Sequence, residues 1–524
     1  MYGKVWSACL QGIEGRTIEV EVDISSGLPQ MNLVGLPDPA IRESVERVRS
    51  AIKNGGYAFP MDRITVNLAP ADLRKEGSSF DLAIAVAILM TTGQVSPECL
   101  QMTLFLGELA LDGSLRPVPG VLSMVHAAKQ IGMKRICVPH ANAAEAALIR
   151  GIEVCGLSAL SDFKRWTKET DNEFLFHAIN NNQFFEASTN LASTTPFVED
   201  YTDVNGQHQV KRALTIAAAG MHNILLIGPP GTGKSMLIKR MPSILPPMSD
   251  AEALEVTKIY SAAGKLPDRT MLMRTRSFRA PHHTISSAGL VGGGTLPKPG
   301  EVSLAHRGIL FLDELPEFTR NALEVLRQPL EDRTVTIARA RAVYTFPAHF
   351  ILAAAMNPCP CGFYGAETES NACICSPAKT VQYRSKISGP LLDRIDLHVE
   401  VPKPDYDQLK ERKDALSSQE MLNSVLIAHR RQQQRYAGTP LHHNNELSGS
   451  FLRQICRLTA EGDQLLRTSF EALGLSARAH DRILRLALTI ADLEQSDAIL
   501  PAHLAEAIQY RSLDKQQHAD GSFP

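Results

Sequence analysis

The fold of this 524-residue chain is decided by residues 223–240, which read NILLIGPPGTGKSMLIKR. The apolar run that opens this stretch predicts a buried strand, and its last residues predict a helix. Between the two lies the pattern G-x-x-x-x-G-K-[ST], whose backbone N–H groups turn inward to hold phosphate oxygens. This loop consists of Gly228, Pro229, Pro230, Gly231, Thr232, Gly233, Lys234 and Ser235. Because a strand precedes it and a helix follows it, we interpret it as a nucleotide-binding loop and not as a glycine-rich turn.

Two further apolar runs end in polar residues that suit nucleotide hydrolysis. The run at residues 308–312 leads into Asp313 and Glu314, and the run at residues 350–355 leads to Asn357. Strands that alternate with helices predict a parallel α/β sheet, in which the carboxyl ends of the strands meet at one edge. The sequence therefore predicts that these polar residues lie close to the phosphate-binding loop.

Together these residues predict ATP and Mg²⁺ as cofactors. Lys234 would contact the β- and γ-phosphates, and Ser235 and Asp313 would ligate Mg²⁺. Glu314 would polarise the attacking water, and Asn357 would sense the γ-phosphate or orient that water. The predicted enzyme class is an ATPase.

The same motifs resemble those of the AAA+ ATPases, and more narrowly those of the magnesium-chelatase-like branch. Residues 389–396, GPLLDRID, are similar to the arginine-finger element of that branch, and residues 475–479, LSARA, are similar to its sensor-2 element. The resemblance implies that Arg394 reaches the ATP of a neighbouring subunit and that Arg478 acts on the ATP of its own subunit. A finger that acts on a neighbour requires an oligomer, and the resemblance implies a hexameric ring.

The amino-terminal region resembles the proteolytic domain of Lon proteases at residues 72–82 and 107–120. Ser79 falls about where the Lon nucleophile would lie. The partner lysine is missing, because the stretch where it would be expected, residues 121–124, reads VLSM. A serine hydroxyl without a base is a poor nucleophile at neutral pH. We therefore expect a Lon-like fold without peptidase chemistry.

These resemblances give a multidomain α/β protein with an α+β Lon-like domain, a parallel-sheet AAA+ core and a C-terminal helical lid. The expected divisions are a Lon-like domain (1–170), a linker (171–200), an AAA+ magnesium-chelatase-like core (201–402), a helical lid (403–512) and a tail (513–524). Two helices carry clear capping signals. One is predicted from Asp38 as N-cap to Asn54, and the other begins after Ser476 as N-cap.

Composition excludes several classes of protein. Apolar residues make up 44% and charged residues 21% of the chain, which is typical of globular proteins. Lys and Arg number 54 against 56 Asp and Glu, a net charge of −2, so nucleic acid would have to bind to local basic patches. No apolar run reaches the roughly 18 residues that span a bilayer, and the first residues lack the apolar core of a signal peptide. We expect a cytoplasmic protein without a membrane contact.

Two basic segments are candidates for DNA contact. Arg276 and Arg279 lie in a stretch without acidic residues, and the alternating pattern of residues 333–344 predicts a hairpin with Arg339 and Arg341 on one face. In the magnesium-chelatase-like and helicase branch, these positions hold two inserts that point into the ring's pore. The resemblance implies that they grip phosphates of single-stranded DNA without reading its sequence. The alternative is a solvated hairpin tip.

Four cysteines form the pattern C-x-C…C-x-C: Cys359, Cys361, Cys373 and Cys375. Four thiolates can close a tetrahedral Zn²⁺ site that stabilises a loop without a core of its own. The usual spacing is C-x-x-C, so a group of free or redox-active thiols beside Asn357 stays open as the alternative.

From end to end, the chain is similar to the bacterial ComM/YifB family, including residues 279–284 (RAPHHT) and 358–362 (PCPCG), which generic AAA+ proteins lack. The resemblance implies a hexameric helicase that acts on single-stranded and branched DNA and promotes branch migration during natural transformation, with recombination proteins as further partners. A protein-remodelling ATPase and a metal-chelatase-type motor subunit are the alternatives. An ATP-dependent protease is disfavoured by the missing lysine.

Overall fold

The structure is a computed structural model that describes residues 1–165, 199–268, 270–294, 297–339, 342–365, 367, 372–403 and 416–511. The predicted tail (513–524) and nearly all of the predicted linker (171–200) lie outside these ranges, as does Arg341. Among the described residues, no helix is both long and apolar enough to span a membrane.

The helices are α1 (Pro39–Asn54), α2 (Asp81–Thr91), α3 (Val121–Gln130), α4 (His140–Ala147), α5 (His208–Gly220), α6 (Lys234–Lys239), α7 (Asp250–Ala263), α8 (Ser287–Val291), α9 (Glu301–Leu304), α10 (Arg320–Glu324), α11 (Arg327–Asp332), α12 (Pro377–Arg384), α13 (Gly389–Leu392), α14 (Ser418–Arg435), α15 (Gly449–Ile455), α16 (Ala460–Leu473), α17 (Ala477–Leu493) and α18 (Pro501–Gln509).

The strands are β1 (Tyr2–Gln11), β2 (Glu14–Ser25), β3 (Gln30–Val34), β4 (Arg63–Ala69), β5 (Thr103–Phe105), β6 (Glu108–Leu109), β7 (Leu115–Arg116), β8 (Arg135–Pro139), β9 (Glu153–Leu157), β10 (Ile224–Ile227), β11 (Phe278–Arg279), β12 (Gly292–Gly293), β13 (Lys298–Pro299), β14 (Ile309–Leu312), β15 (Thr334–Arg339), β16 (Ala342–Pro347), β17 (Ile351–Met356) and β18 (Leu397–Glu400).

Backbone contacts divide the chain into two compact units. The first comprises Met1–Thr194, Asp250–Met273 and Ala340–Thr345, and the second comprises Thr195–Ser249, Arg274–Arg339 and Phe346–Pro524. Each unit has its own sheet and its own apolar core.

The first unit is built on a seven-stranded mixed sheet with the order β3-β4-β2-β1-β5-β8-β9. Helix α1 begins and ends as its sequence predicts, because Asp38 caps it by accepting a hydrogen bond from Ile41 N and Pro39 occupies its first position. Helix α2 is apolar around nearly its whole circumference and is buried from Asp81 to Leu89, which fits a helix at the centre of a core. Helix α7 follows the phosphate-binding loop in sequence, yet it belongs to this unit and packs against α3.

The second unit is built on a five-stranded parallel sheet with the order β11-β14-β17-β10-β18. Its three central strands, β10, β14 and β17, are apolar along their whole length, as expected for strands that are buried on both faces of a sheet. Helices of the C-terminal region, including α14 and α17, share one apolar core with this sheet. Helix α17 has Ser476 as its N-cap, as predicted, and buries the apolar stripe of Ile483, Leu486 and Ile490. The predicted fold class, a multidomain α/β protein with a parallel-sheet core and a helical C-terminal region, is confirmed.

Candidate nucleotide-binding site

The candidate site lies at the carboxyl ends of three neighbouring parallel strands. In the pairing of β10 with β17, Ile227 is aligned with Met356, and in the pairing of β14 with β17, Leu312 is aligned with Ala354. The residues that follow these strands therefore emerge together: the loop at 228–235, the pair Asp313–Glu314, and Asn357. This is the edge at which open α/β sheets bind ligands.

The loop conformation depends on its glycines. Gly231 and Gly233 have φ of +79° and +84°, a left-handed conformation that side chains disfavour, and Gly233 is the N-cap of α6. A Cβ on Gly228 would lie 2.4 Å from the carbonyl oxygen of Val401, so only glycine fits there. The sequence pattern thus follows from steric limits at three positions.

Lys234 holds the loop together from within. Its ammonium donates hydrogen bonds to the carbonyl oxygens of Gly228 and Pro229 at 2.7 and 2.9 Å and to Oδ1 of Asn357 at 3.2 Å. Burial lowers the pKa of this lysine, with the nearby Asp313 acting in the opposite direction. A buried ammonium that is held only by neutral oxygens is well suited to bind an anion such as a phosphate.

Ser235 and Asp313 form the oxygen pair expected of a Mg²⁺ site. Ser235 Oγ donates to Asp313 Oδ2 at 2.6 Å, and the other carboxylate oxygen accepts the backbone N–H of Glu314 at 3.0 Å. A hydroxyl and a carboxylate at this spacing fit the hard oxygen ligands that Mg²⁺ prefers, with water and phosphate oxygens completing its shell. The Glu314 side chain is 61% exposed, and its backbone is left-handed with a φ of +52°.

Arg394 lies at the opposite end of the parallel strands, where the strands begin. It precedes β18, whose first residue, Leu397, is aligned with Ile224 at the start of β10, whereas the phosphate-binding loop follows the end of β10. Its guanidinium pairs with Glu331 and donates to the carbonyl oxygen of Pro390 at 2.8 Å. It also lines a cleft of about 460 Å³ together with other residues of α11 and β15.

Arg478 lies beside Arg394 and not beside the phosphate-binding loop. Its Nη2 is 3.9 Å from Oε1 of Glu331, the carboxylate that also pairs with Arg394. The expectation that Arg478 acts on the ATP of its own subunit does not agree with this arrangement, because the loop is at the other end of the strands.

The arginines predicted to contact DNA have different surroundings. Arg276 is buried and donates to the carbonyl oxygens of Pro246 and Arg307 at 2.6 and 2.8 Å. Arg279 forms a bidentate ion pair with Glu301 at 2.6 and 2.9 Å. Both side chains thus have protein partners, and a DNA contact by either stays a prediction.

Arg339 differs, because its side chain is exposed at the end of β15. Its Nη2 donates to the carbonyl oxygen of Gly294 at 3.2 Å. This hydrogen bond links the hairpin to the glycine-rich segment formed by residues 292–294. Arg341 lies outside the described residues, so its orientation relative to Arg339 stays a prediction.

The four cysteines converge on one point. Their Sγ atoms all lie within 4.8 Å of one another, and they are the only such group of potential metal ligands found among the described residues. Cys359 is buried, and its sulfur lies 3.3 Å from that of Cys361. The backbone N–H of Phe363 lowers the pKa of the Cys361 thiol to about 6. The donor set and the distances fit a tetrahedral Zn²⁺ site.

The loop that carries the four cysteines (residues 359–375, here called the cysteine loop) also contacts the phosphate-binding loop. Gly362 has a φ of +88°, and a Cβ there would lie 2.6 Å from Cδ of Pro230. Asn357 and Cys359 are separated by a single residue, Pro358, whose carbonyl oxygen accepts a hydrogen bond from Arg384 at 3.1 Å. This contact could not be predicted from the sequence, because the spacing of the two loops along the chain does not reveal it.

In the first unit, Ser79 is almost fully buried, and its hydroxyl donates to the carbonyl oxygen of Ala8 at 3.2 Å. We find no hydrogen bond between this hydroxyl and a lysine or histidine within the described part of the chain. The expected position of the partner lysine is taken by the start of α3, where Val121 and Leu122 are buried in the core. The absence of peptidase chemistry from this domain stays a prediction.

Comparisons with known proteins define the class first. Three family models match: magnesium chelatase, subunit ChlI, over residues 200–409; subunit ChlI of Mg-chelatase over residues 20–142; and the C-terminal part of subunit ChlI over residues 415–511. The fold and these matches describe an AAA+ protein of the magnesium-chelatase type.

Comparisons with individual proteins show which family within this class the chain belongs to. The chain is 44% identical to YifB of Salmonella typhimurium over 509 residues, which covers 96% of each protein. It is 41% identical to the competence protein ComM of Haemophilus influenzae over 510 residues, 97% of each. A more distant match, 25% identity over 167 residues, is to Lon protease 2 of Bacillus subtilis and covers 29% of each chain. The chain belongs to the ComM/YifB family of AAA+ proteins.

Proposed function

We propose that this protein is a Mg²⁺-dependent ATPase. The observation that carries the proposal is the convergence of Lys234, Ser235, Asp313 and Asn357, joined by hydrogen bonds of 2.6 and 3.2 Å, at one edge of a parallel sheet. In this arrangement Lys234 would bind phosphate oxygens, and Ser235 and Asp313 would hold the metal. Mg²⁺ neutralises the phosphate charge when it is bound.

The roles of the remaining site residues follow from their positions. Glu314 is the general base for the attacking water, because it projects from the strand next to the one that carries Asn357. Asn357 touches Lys234 and is therefore within reach of the γ-phosphate that Lys234 binds. Steady-state hydrolysis tests this: Lys234→Ala should abolish nucleotide binding, whereas Glu314→Gln should keep binding and lose hydrolysis by about a hundredfold or more. If either variant hydrolyses ATP at the wild-type rate, these assignments are wrong.

We infer that the active form is an oligomer, most simply a hexameric ring. Arg394 and Arg478 share Glu331 at the edge of the sheet that faces away from their own phosphate-binding loop. Their guanidinium groups therefore serve the ATP of a neighbouring copy, and in contrast to the sequence-based expectation Arg478 acts in trans as well.

Mixing two inactive variants tests the shared site. Lys234→Ala and Arg394→Ala proteins should each be inactive alone and should partly restore hydrolysis when mixed, because a mixed assembly contains some sites with both an intact loop and an intact arginine. Light scattering and labelled subunits establish that the variants assemble and exchange. If the subunits exchange but ATP hydrolysis does not recover at any mixing ratio, the inter-subunit site is contradicted.

For the substrate, we propose DNA and, more specifically, branch migration of recombination intermediates in transformation. Two points support this: the full-length likeness to a protein named as a competence protein, and the exposed Arg339 beside the glycine-rich segment. The chain's net charge of −2 means that such contacts must be local. A role on DNA also requires a cytoplasmic location, which stays a prediction, as do recombination-protein partners.

DNA-dependent turnover discriminates this proposal from its alternatives. Single-stranded or forked DNA should raise ATP hydrolysis, and Arg339→Ala combined with Arg341→Ala should remove that rise while basal hydrolysis stays the same. A three-stranded branch-migration assay with and without ATP then tests the specific activity. Unchanged hydrolysis with DNA would instead favour a protein-remodelling ATPase or a motor subunit of the metal-chelatase type.

We further propose that the four cysteines hold a structural Zn²⁺ ion. Purified protein should contain about one equivalent of zinc per chain, and Cys373→Ser should lower both the zinc content and the melting temperature, because a four-thiolate site contributes folding energy. Zinc below about half an equivalent in protein prepared without chelators favours free thiols instead.

A further inference from the structure

The motif at residues 279–284, RAPHHT, contains a histidine that lies close to the proposed general base, Glu314. The motif begins with the last residue of β11, which pairs in parallel with β14 so that Arg279 is aligned with Leu310. Strand β14 leads directly into Asp313 and Glu314. The chain that leaves β11 therefore emerges at the same sheet edge as Glu314, one strand further out.

The two histidines of the motif lie in a tight turn but have different surroundings. The turn is closed by a hydrogen bond from Ile285 N to the carbonyl oxygen of His282, 3.0 Å long. His282 is exposed, and its Nδ1 lies 2.9 Å from Oγ1 of Thr284, so this ring helps to close the turn. His283 is half-buried, and its ring meets the buried Phe318 edge-on with the ring centres 6.4 Å apart.

His283 faces the carboxylate of Glu314. Its Nδ1 lies 3.7 Å from Oε2 of Glu314, which is ion-pair distance and is slightly longer than a hydrogen bond. The Glu314 backbone is engaged on both sides, by Oδ1 of Asp313 and by the N–H of Glu317. For the carboxylate itself, we find no other side-chain partner within the described ranges. The Glu314 carboxylate is thus mostly exposed. The ring that lies near it belongs to His283 and is held in place by its packing on Phe318.

A general base must present one oxygen to the water that it activates, in a defined geometry. A glutamate side chain with three rotatable bonds loses much freedom when it is held in that geometry. We propose that His283 positions Glu314: a ring N–H donates to one carboxylate oxygen and leaves the other oxygen directed at the attacking water. Phe318 and the turn fix the ring, and His283 itself does not touch the nucleotide.

This inference rests on the ATPase activity proposed above and does not depend on DNA. Three substitutions separate its physical components. His283→Ala removes the ring, His283→Phe keeps a ring against Phe318 but cannot donate, and His283→Gln keeps an N–H donor. His282→Ala tests the turn separately, because the His282 ring helps to close it and lies against the His283 ring with the ring centres 4.1 Å apart.

The measurements are kcat and KM for ATP, the dissociation constant of a fluorescent ATP analogue, and the melting temperature of each full-length variant. We expect kcat to fall about tenfold in His283→Ala and His283→Phe, as part of the larger contribution that a general base makes. KM and nucleotide affinity should stay within about twofold, since the base does not bind the nucleotide. His283→Gln should recover much of the loss. His282→Ala, which keeps the His283 donor and loosens only the turn, should lower kcat less than His283→Ala. In a Glu314→Gln background, removal of His283 should cause no further loss in single-turnover hydrolysis, because the two residues act as one unit.

Several outcomes would overturn the inference. A normal or raised kcat in His283→Ala means that the ring does not position the base. An active His283→Phe variant assigns the effect to packing on Phe318 alone. A further loss in the Glu314→Gln background means that His283 acts by another route. If the wild-type protein itself does not hydrolyse ATP, the proposed function fails, whereas an active wild type with an unaffected His283→Ala variant defeats only this inference.

Discussion

The contact between the cysteine loop and the phosphate-binding loop makes a sharp prediction for Gly362→Ala. A Cβ at this position would lie 2.6 and 3.1 Å from Cδ and Cγ of Pro230. Carbon atoms pack at about 3.5–4.0 Å, so the two loops would have to separate by roughly 1 Å. The substitution also places a side chain at a φ of +88°, which costs about 1–2 kcal/mol by itself.

Gly365→Ala is a matched control. It lies in the same loop with a φ of +75°, and a Cβ there would meet no atom within 4 Å. Both variants therefore carry the conformational cost, but only Gly362→Ala carries the overlap with Pro230. Overpacking of this kind costs about 1–3 kcal/mol. If that strain falls on the phosphate-binding loop, the Kd for nucleotide should rise roughly fivefold to a hundredfold relative to Gly365→Ala, at 1.4 kcal/mol for each factor of ten.

Equilibrium binding of a fluorescent ATP analogue with Mg²⁺, together with the melting temperature and the metal content, measures this difference. We expect both variants to melt at lower temperature than the wild type and only Gly362→Ala to bind nucleotide more weakly. Equal affinities of the two variants, within about twofold, would show that the cysteine loop does not support the phosphate-binding loop.

Two further substitutions test the core of the second unit and the site. Although burial alone would raise it, the neighbouring His222 ring and the charge of Arg482 hold the pKa of Asp396 well below its usual range. The stabilising effect of this carboxylate is therefore present above about pH 4, the unfolded value, and is lost as the pH falls through the lower folded value. Asp396→Asn should therefore cost about 3–5 kcal/mol at neutral pH, because it leaves Arg482 buried and unpaired, and denaturant titrations should show that the difference from wild type shrinks in acid; a constant difference contradicts this. Asn357→Ala should leave the Kd for ATP within a few-fold of wild type but lower kcat by about tenfold or more, and a loss of binding without a loss of kcat would argue for a binding role only.

Much of the fold could be predicted, because it depends on local signals. The strand, glycine loop and helix at residues 223–240 and the caps at Asp38 and Ser476 are short-range patterns with steric or hydrogen-bonding causes. The sequence also allowed the prediction that the polar residues after β10, β14 and β17 lie close together, because parallel strands align their carboxyl ends.

The rest depends on which partner a side chain meets, and sequence spacing does not reveal that. Arg276 and Arg279 look like free positive charges in the sequence, yet one is used by buried carbonyl oxygens and the other by Glu301. Arg478 was predicted to act on its own nucleotide because the sequence does not show where α17 lies relative to the sheet. The approach of His283 to Glu314 likewise arises from the pairing of β11 with β14, two strands that lie about thirty residues apart.

In the assembly that we propose, the two ends of β10 would connect neighbouring ATP sites. At its start, Asn223 donates to the carbonyl oxygen of Arg394 at 2.9 Å, and its backbone N–H donates to Asp396, also at 2.9 Å. At its end begins the loop that carries Lys234. Four residues of strand span only about 13 Å and stretch very little. In the proposed assembly, a change at the phosphate-binding loop of one subunit would therefore move the arginine that this subunit offers to the next, because the same short strand holds both.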